Sequence, residues 1–422
     1  MLMSSTPEPF AAVYAGPTLA QIEHAREVVA QVIQATPMEH SAYLEQVLGV
    51  PVWLKAENLQ RTGSYKIRGA YYRLSRLAED ERARGVVAAS AGNHAQGVAL
   101  AAHRLGIRAT IFMPQGVALP KLQATRAYGA DTVLHGPTFT ETLAAALEFA
   151  ERTGAVFIPP YDHEDVITGQ GTLGLEIMDE APDVDTIVVP IGGGGLIAGV
   201  ARAAKLRADA SGRSIRIVGV QSENAAAYPP SLAAGEQVAV PVGPTIADGI
   251  AVGRPGDLNF PIVRELVDEI VTVTDDDIAR AILVLLERAK LVVEPAGAAG
   301  VAAIIAGKVR ASGPTVAVLS GGNIDPLLMQ RVIAHGLEAS ARYLTVRIML
   351  PDRPGQLATI SQILAEVSAN VVEVLHTRHH NGLQISQVAI EISVETRGPE
   401  HREEVIRHLR EAGYDPEVEY TE

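Results

Sequence analysis

Four short stretches carry groups able to hold a small anionic ligand and act on it. The first is Ile191-Gly192-Gly193-Gly194-Gly195-Leu196, which follows the apolar run TIVVP and precedes an Ala-rich segment of helical period. Glycines there let the backbone wrap an anion, while the free N–H groups and dipole of a helix N-terminus attract it. The stretch lacks the Lys-Ser/Thr of a Walker loop and the acid downstream of a dinucleotide GxGxxG, so neither nucleotide site is indicated. The plain alternative is a tight turn that needs no ligand. In the second stretch, Gly63 to Ala70, Lys66 lies between Tyr65 and Ile67. Desolvation there would lower the amine pKa and favour Schiff-base chemistry. Ser90-Ala91-Gly92-Asn93-His94-Ala95-Gln96-Gly97 is the third. Either Ser90 and Asn93 cap a helix, or the hydroxyl and N–H groups of that turn bind a substrate carboxylate. Ser320-Gly321-Gly322-Asn323 offers the same choice at a fourth strand end.

The elements that must position these stretches can be read from the pattern around them. GVVAAS (85–90), RATIFMP (108–114), TIVVP, SIRIVGV (214–220) and TVAVLSGGN (315–323) are short apolar runs of strand length. Between them run Ala-rich helical segments such as HAQGVALAAHRLG (94–106) and PKLQATRAYGA (120–130), the latter with Pro120 at a favoured first-turn position. Such alternation predicts parallel strands covered on both faces and joined by right-handed crossovers, an open α/β sheet. Two clusters, about 85–160 and 165–340, predict two lobes with a cleft between them. Ligands of open α/β sheets bind outside the carboxyl ends of the strands, where three of the four stretches fall.

After about residue 340 the texture changes. YLTVRIML (343–350), RPGQLATISQILAEVSA (353–369), NVVEVLHTRHH (370–380), LQISQVAIEISVE (383–395), EHREEVIRHLREAG (400–413) and YDPEVEY read β-α-β-β-α-β, a ferredoxin-like unit. Asn381-Gly382 is the hairpin signal between its middle strands.

Composition narrows the class. The 422 residues carry 35 Lys+Arg against 49 Asp+Glu, a formal charge of −14. That balance, without a basic patch, speaks against a nucleic-acid polymer as partner. Cysteine is absent, which removes disulfides, thiolate metal sites and a thiol nucleophile, and suits a reducing cytoplasm. MLMSSTPEPF has no secretory pattern, and no apolar run reaches the roughly 18 residues of a membrane span, so no membrane partner is expected.

Taken together, the motifs S-Y-K-I-R-G-A, S-A-G-N-H-A-Q-G, the four-glycine loop and S-G-G-N resemble the fold-type II pyridoxal-phosphate enzymes, specifically the threonine/serine dehydratases, over about residues 17–335. Thr168-Gly-Gln-Gly-Thr172, Thr245-Ile-Ala-Asp-Gly-Ile250 and Glu294-Pro-Ala-Gly-Ala298 add to the match, and the tail resembles an ACT regulatory domain. The resemblance implies a pyridoxal 5'-phosphate catalytic domain over 1–340, with the small lobe inserted in a large one, and an ACT domain over 342–422. It implies that Lys66 holds the cofactor aldehyde and serves as base at the substrate α-carbon. Gly192, Gly193, Gly194, Gly195 and Leu196 would bind the cofactor phosphate, Asn93 the ring phenolic oxygen, and Ser320 the pyridine nitrogen. Ser90, Asn93 and His94 would receive the substrate carboxylate, and Asp352, Gly355 and Asn370 an amino-acid or nucleotide effector.

The activity so implied is deamination of L-threonine to 2-oxobutanoate and ammonia, in a homodimer or homotetramer. An L-serine or 3-hydroxyaspartate dehydratase, a β-replacing synthase and a non-catalytic amino-acid sensor are the alternatives. Ala91 stands where racemases of the family carry a serine, which speaks against racemisation. Gln221 and Ala227 replace acids of the family's divalent-cation site, so no such metal is expected, since hard cations want carboxylates. Asp162-His-Glu-Asp165 reads as a solvated loop, Asp275-Asp-Asp277 as a helix start, and His379-His380 as a polar hairpin tip.

Overall fold

The computed structural model describes residues 14–378 and 387–419. The chain divides into two compact units, Met1–Asp325 and Pro326–Glu422. The helix Pro326–Ala339 therefore groups with the C-terminal unit.

In the first unit, two sheets form the two lobes. The small sheet takes its four strands from one stretch of chain, in the order Asp131–Leu134, Ala109–Met113, Val86–Ala89, Val156–Phe157, all parallel. The large sheet draws on both sides of that stretch, in the order Met38–His40, Val52–Lys55, Thr315–Val318, Thr186–Pro190, Arg216–Ser222, Glu269–Val273. Five of its strands are parallel, and only Met38–His40 runs antiparallel at one edge. Its central strands are buried on both faces, which is why they read as unbroken apolar runs. Three strands of the large sheet, like Asp131–Leu134 and Val156–Phe157 of the small one, had no clear signal in the sequence. Met38–His40 is too short, Val52–Lys55 interrupts its apolar run with a buried lysine, and Glu269–Val273 is a half-buried edge.

The small lobe's core reaches beyond its own sheet. Ala25 and Val29 of the helix Leu19–Val29, and Ile67, Ala70 and Leu74 of the helix Lys66–Ser75, pack with Val86, Val98 and Ile111. The lysine-bearing helix is thus seated on the small lobe, while the glycine-loop helix Gly195–Ala210 packs in the core of the large one through Ile197, Val200 and Ala204.

A glycine-rich helix, Glu164–Glu180, joins them. A Cβ on Gly169 would lie 2.7 Å from the Gly69 Cα, and one on Gly199 would lie 2.5 Å from the Ile167 carbonyl oxygen. Both helices that begin at the ligand loops therefore touch this third helix backbone to backbone, and their N-termini are fixed relative to each other. This is the physical meaning of Thr168-Gly-Gln-Gly-Thr172. The neighbouring acids are not a solvated loop, a correction to the sequence reading. Asp162 accepts the N–H groups of Asp257 and Leu258 at 2.9 Å each, His163 caps the helix, and Asp165 pairs with Arg73 at 3.2 Å.

The C-terminal unit is an antiparallel sheet in the order Asn370–Thr377, Gln387–Glu395, Tyr343–Pro351, Pro416–Glu419, with the helices Gln356–Glu366 and Pro399–Glu411. Alternating Leu344, Val346, Ile348 and Leu350 bury one sheet face against Ile360, Leu364, Val405 and Leu409. This is the ferredoxin-like topology the pattern implied. His379, His380 and the Asn381-Gly382 turn lie outside the described residues.

Candidate active site

Three parallel strands end at one narrow cavity. Its walls include Lys66, Asn93, the loop Gly192–Leu196, Ile250, Glu294 and Ser320. The arrangement meets the strand-end rule for open sheets, because strands 86–89, 186–190 and 315–318 each release their chain there.

The glycine loop leaves no room for side chains. A Cβ on Gly193 would sit 2.4 Å from the Tyr161 ring, and one on Gly194 would sit 1.9 Å from the Tyr228 hydroxyl. Gly194 also has φ +103°, a conformation L side chains rarely adopt. The Gly193 carbonyl accepts the Tyr228 hydroxyl at 3.2 Å, the Asn259 carboxamide at 3.1 Å and the Gly256 N–H at 3.0 Å. Three donors on one carbonyl hold the peptide plane still. The first-turn N–H groups of the helix Gly195–Ala210 have no acceptor within the helix, so a pre-shaped anion cradle opens on the cavity.

Lys66 opens the helix Lys66–Ser75, and its Nζ donates to the Pro160 carbonyl at 2.9 Å. Burial pushes its pKa down to about 8, opposed by the nearby charge of Glu294. The neutral amine, the form that attacks a carbonyl, thus becomes abundant two pH units below an ordinary lysine. Uptake of pyridoxal phosphate by cofactor-free protein should accelerate as pH rises from 7 to 9 and then level off. A stopped-flow profile that keeps rising beyond pH 10 would contradict this.

Glu294 escaped the sequence reading as a site residue, although Glu294-Pro-Ala-Gly-Ala298 marks a helix start there. Its carboxyl is buried on the cavity wall. Burial raises its pKa to about 7, with Asp248 adding to the rise and Asn93, Lys121 and Lys66 opposing it. Only tertiary packing brings it across from Asn93, 201 positions earlier in the chain. Asp275 was also missed. It caps no cavity, but it accepts the Thr245 hydroxyl at 2.7 Å and the Ile246 N–H at 3.0 Å, and so holds the loop that carries Gly249 and Ile250. Thr274 and Asp277 form the expected helix start.

The three residues expected at a substrate carboxylate separate. Asn93 lines the cavity, but the buried His94 ring bonds the Ile158 carbonyl at 2.8 Å, and burial takes its pKa down to about 3. The Ser90 hydroxyl accepts the Gly92 N–H at 3.1 Å. Neither side chain is among the residues that line the cavity. Ser320 lies on the wall, and its carbonyl accepts the Tyr65 N–H.

Arg68, two residues after the lysine, anchors the helix that both share. The fully buried guanidinium donates to Glu57 at 2.8 and 2.9 Å, to Glu176 at 2.7 and 2.8 Å and to Thr172 at 3.2 Å. Burial alone would raise the Glu57 carboxyl, yet Arg68 holds it below the usual range. Arg68→Ala would strand the buried Glu57 carboxylate, while the partly exposed Glu176 keeps Lys55, and should cost about 3–5 kcal/mol, read from chemical unfolding of the cofactor-free protein.

Gln221 is buried. Its carbonyl accepts the Tyr228 N–H at 3.0 Å and its amide reaches the Ala225 carbonyl at 3.4 Å. Among the described residues no group of three or more His, Cys, Asp or Glu side chains is placed to hold a metal.

In the C-terminal unit the three expected effector residues do not converge within one copy. Asp352 follows the strand end Pro351, which pairs with Gln387, whereas Asn370 and Tyr343 both pair with Glu395. The crossover helix returns the chain along the sheet, so the two sites stand about eight residues apart, roughly 27 Å of strand. Gly355 caps the helix Gln356–Glu366 at φ +94°, Asp352 accepts from Arg378 at 3.4 Å, and Asn370 bonds Glu395 at 3.1 Å.

A helix-end cradle with a buried amine on the facing wall suits a phosphorylated aldehyde cofactor. The chain belongs to the family of pyridoxal-phosphate dependent enzymes, which matches residues 29–321, and it carries an ACT domain over residues 344–413. The L-threonine ammonia-lyase of Thermotoga maritima is 48% identical over 402 residues, covering 95% of this chain and 99% of that relative. Threonine deaminase isoform 2 of Solanum lycopersicum, in its processed form, superposes with a TM-score of 0.71 at 38% identity, covering 79% of this chain and 99% of that one. Maize serine racemase superposes with the same TM-score at 36% identity, covering 77% and 99%. Among the described residues no helix is long and apolar enough to cross a membrane.

Proposed function

We infer that this chain is a pyridoxal-phosphate-dependent L-threonine ammonia-lyase, converting L-threonine to 2-oxobutanoate and ammonia. The observation that carries the reading is the buried Lys66 amine in one cavity with the glycine cradle, in a chain similar along nearly its whole length to a threonine ammonia-lyase.

Bound there, pyridoxal phosphate supplies an electron sink for the pair released when the substrate α-proton leaves. The N–H groups of Gly192 to Leu196 hold the phosphate. Lys66 Nζ would hold the aldehyde carbon and, as a neutral amine, would take the substrate α-proton. Asn93 Nδ2 donates a hydrogen bond toward the ring oxygen. Ser320 on the cavity wall would offer the ring nitrogen a neutral hydroxyl, which does not compel its protonation as a carboxylate would and so would favour elimination. Water leaves across the α,β bond, and hydrolysis of the released enamine returns it, giving the oxo acid and ammonia. Ala91 presents a methyl that cannot carry a proton, which argues against the racemase reading despite the similarity to a serine racemase.

A panel of threonine, serine, 3-hydroxyaspartate and O-acetylserine, scored for oxo-acid release, tests the reading. Threonine should give the highest kcat/KM. Preference for another member would move the assignment to that substrate.

Residues 342–422 constitute the regulatory part in this reading, taking an amino-acid or nucleotide effector and supporting a homodimer or homotetramer in the cytoplasm. The edge strand Asn370–Thr377 exposes Val371, Val372, Val374 and Leu375, an unpaired apolar edge that a second copy would cover. An effector acts only through unequal binding to two quaternary arrangements. Removal of residues 342–422 should leave deamination but abolish any response to isoleucine, valine or a nucleotide. A response retained undiminished would place the regulatory site in the catalytic domain.

A further inference from the structure

We propose that Asn323 and Glu294 are positioning residues that lock the Asn93 carboxamide so that its NH₂ group, never its carbonyl, is presented to the cofactor ring. The inference rests on the proposed function only in taking pyridoxal phosphate as the ligand.

The argument starts from an atom that cannot invert. The Thr62 carbonyl belongs to the backbone and accepts from Asn323 Nδ2 at 2.6 Å, so Asn323 must turn its donor side that way. The same Nδ2 then donates to Asn93 Oδ1 at 2.7 Å. With Oδ1 committed, Asn93 Nδ2 points to the opposite side and donates to Glu294 Oε1 at 2.6 Å. A flipped Asn93 would set NH₂ against NH₂ at one end and oxygen against a carboxylate at the other. Both contacts are repulsive, and both polar groups would lose partners in a site largely closed to water.

Packing holds the two locking side chains in turn. A Cβ on Gly63 would lie 2.4 Å from Asn323 Oδ1, and one on Gly321 would lie 2.2 Å from Glu294 Oε1. The Glu294 N–H donates to the Gly321 carbonyl at 3.0 Å, and the Gly322 N–H to the Gly63 carbonyl at 2.8 Å. The relay thus spans the loop before Lys66, the turn at Asn93 and the loop after Ser320. It leaves the second Nδ2 hydrogen of Asn93 for the cavity that this residue lines. A donor fixed beside the ring oxygen favours that oxygen as an anion, the form that absorbs in the visible. Without the lock, the neutral form that absorbs in the near-ultraviolet gains.

Isosteric variants of the full-length protein provide the test. Asn323→Asp keeps the shape but removes the donor that begins the relay. Glu294→Gln keeps an acceptor for Asn93, and Glu294→Leu removes it. Each is prepared cofactor-free, checked by thermal melting and titrated with pyridoxal phosphate by equilibrium dialysis. Absorbance spectra follow at one fixed pH. Expected for Asn323→Asp and Glu294→Leu is a cofactor affinity about tenfold weaker, the loss that accompanies one lost hydrogen bond. Their ratio of visible to near-ultraviolet absorbance should fall at least about threefold, while Glu294→Gln stays near wild type. If Asn323→Asp fails to fold, the pair at position 294 decides alone. Variants with lowered melting temperature but wild-type affinity and spectrum, or Gln and Leu at 294 behaving alike, would overturn the lock. A wild-type protein that binds the cofactor but does not deaminate threonine would overturn the proposed function and leave the lock standing.

Discussion

Lys66→Ala should reduce threonine deamination by about 10³-fold or more, since in the proposed mechanism it removes both the covalent anchor and the base at the α-carbon. The visible band of lysine-linked cofactor should vanish as well. The fold should survive, because the amine is a buried group whose protonated form burial disfavours, and it gives up little beyond a bond to the Pro160 carbonyl and a contact with the Tyr65 ring. Melting of the cofactor-free variant should therefore match or exceed wild type at neutral pH. The sign is fixed by the lowered pKa. Between about 8 and 10.5 the unfolded lysine is protonated while the folded one is not, so the wild type carries a cost that is complete below 8 and fades as pH rises. Near-normal turnover in this variant would end the lysine-centred mechanism.

Gly194→Ala should weaken cofactor binding about 100-fold, the second largest effect expected. Its methyl would overlap the Tyr228 hydroxyl at 1.9 Å and approach the Asn259 Cβ at 3.0 Å, on a backbone at φ +103°. Tyr228 is fully buried and cannot swing out, so the loop must move instead. Once it moves, the donors on the Gly193 carbonyl separate and the N–H groups lose their common aim. Adding Tyr228→Phe removes the overlapping oxygen and should recover part of the lost affinity. Dialysis of the single and double variants reads both effects. Normal affinity in Gly194→Ala would mean that the phosphate is held elsewhere.

The two experiments probe opposite lobes. Lys66 begins a helix packed on the small lobe, and Gly194 caps one built into the large lobe. Catalysis requires both to face one cavity, and the glycine contacts of the helix Glu164–Glu180 set that distance. A methyl at Gly169 or Gly199 would push the helices apart without touching a ligand.

Much of this was legible in the chain itself. Buried parallel strands must be apolar on both faces, so their runs stand out, and turns that wrap an anion must be glycine-rich. Both demands are local, and a one-dimensional string records them. The four ligand stretches and the ferredoxin-like tail were therefore readable by pattern. Partnership between distant residues is a different matter, because packing energy is indifferent to sequence separation. Nothing near Glu294 says that its carboxyl meets Asn93, and nothing near Arg68 says that it joins Glu57 to Glu176. His94 sits in a conspicuous motif, yet a turn of the backbone spends its ring on a carbonyl. Asp352 and Asn370 both flank the same helix, but the crossover places them at opposite ends of the sheet. By itself the sequence determined which segments could be strands, helices and anion-binding turns, since backbone sterics and burial act residue by residue. Only the tertiary structure decided which side chains share one low-dielectric cavity, and hence that a lysine amine and a glutamate carboxyl there both titrate near neutrality.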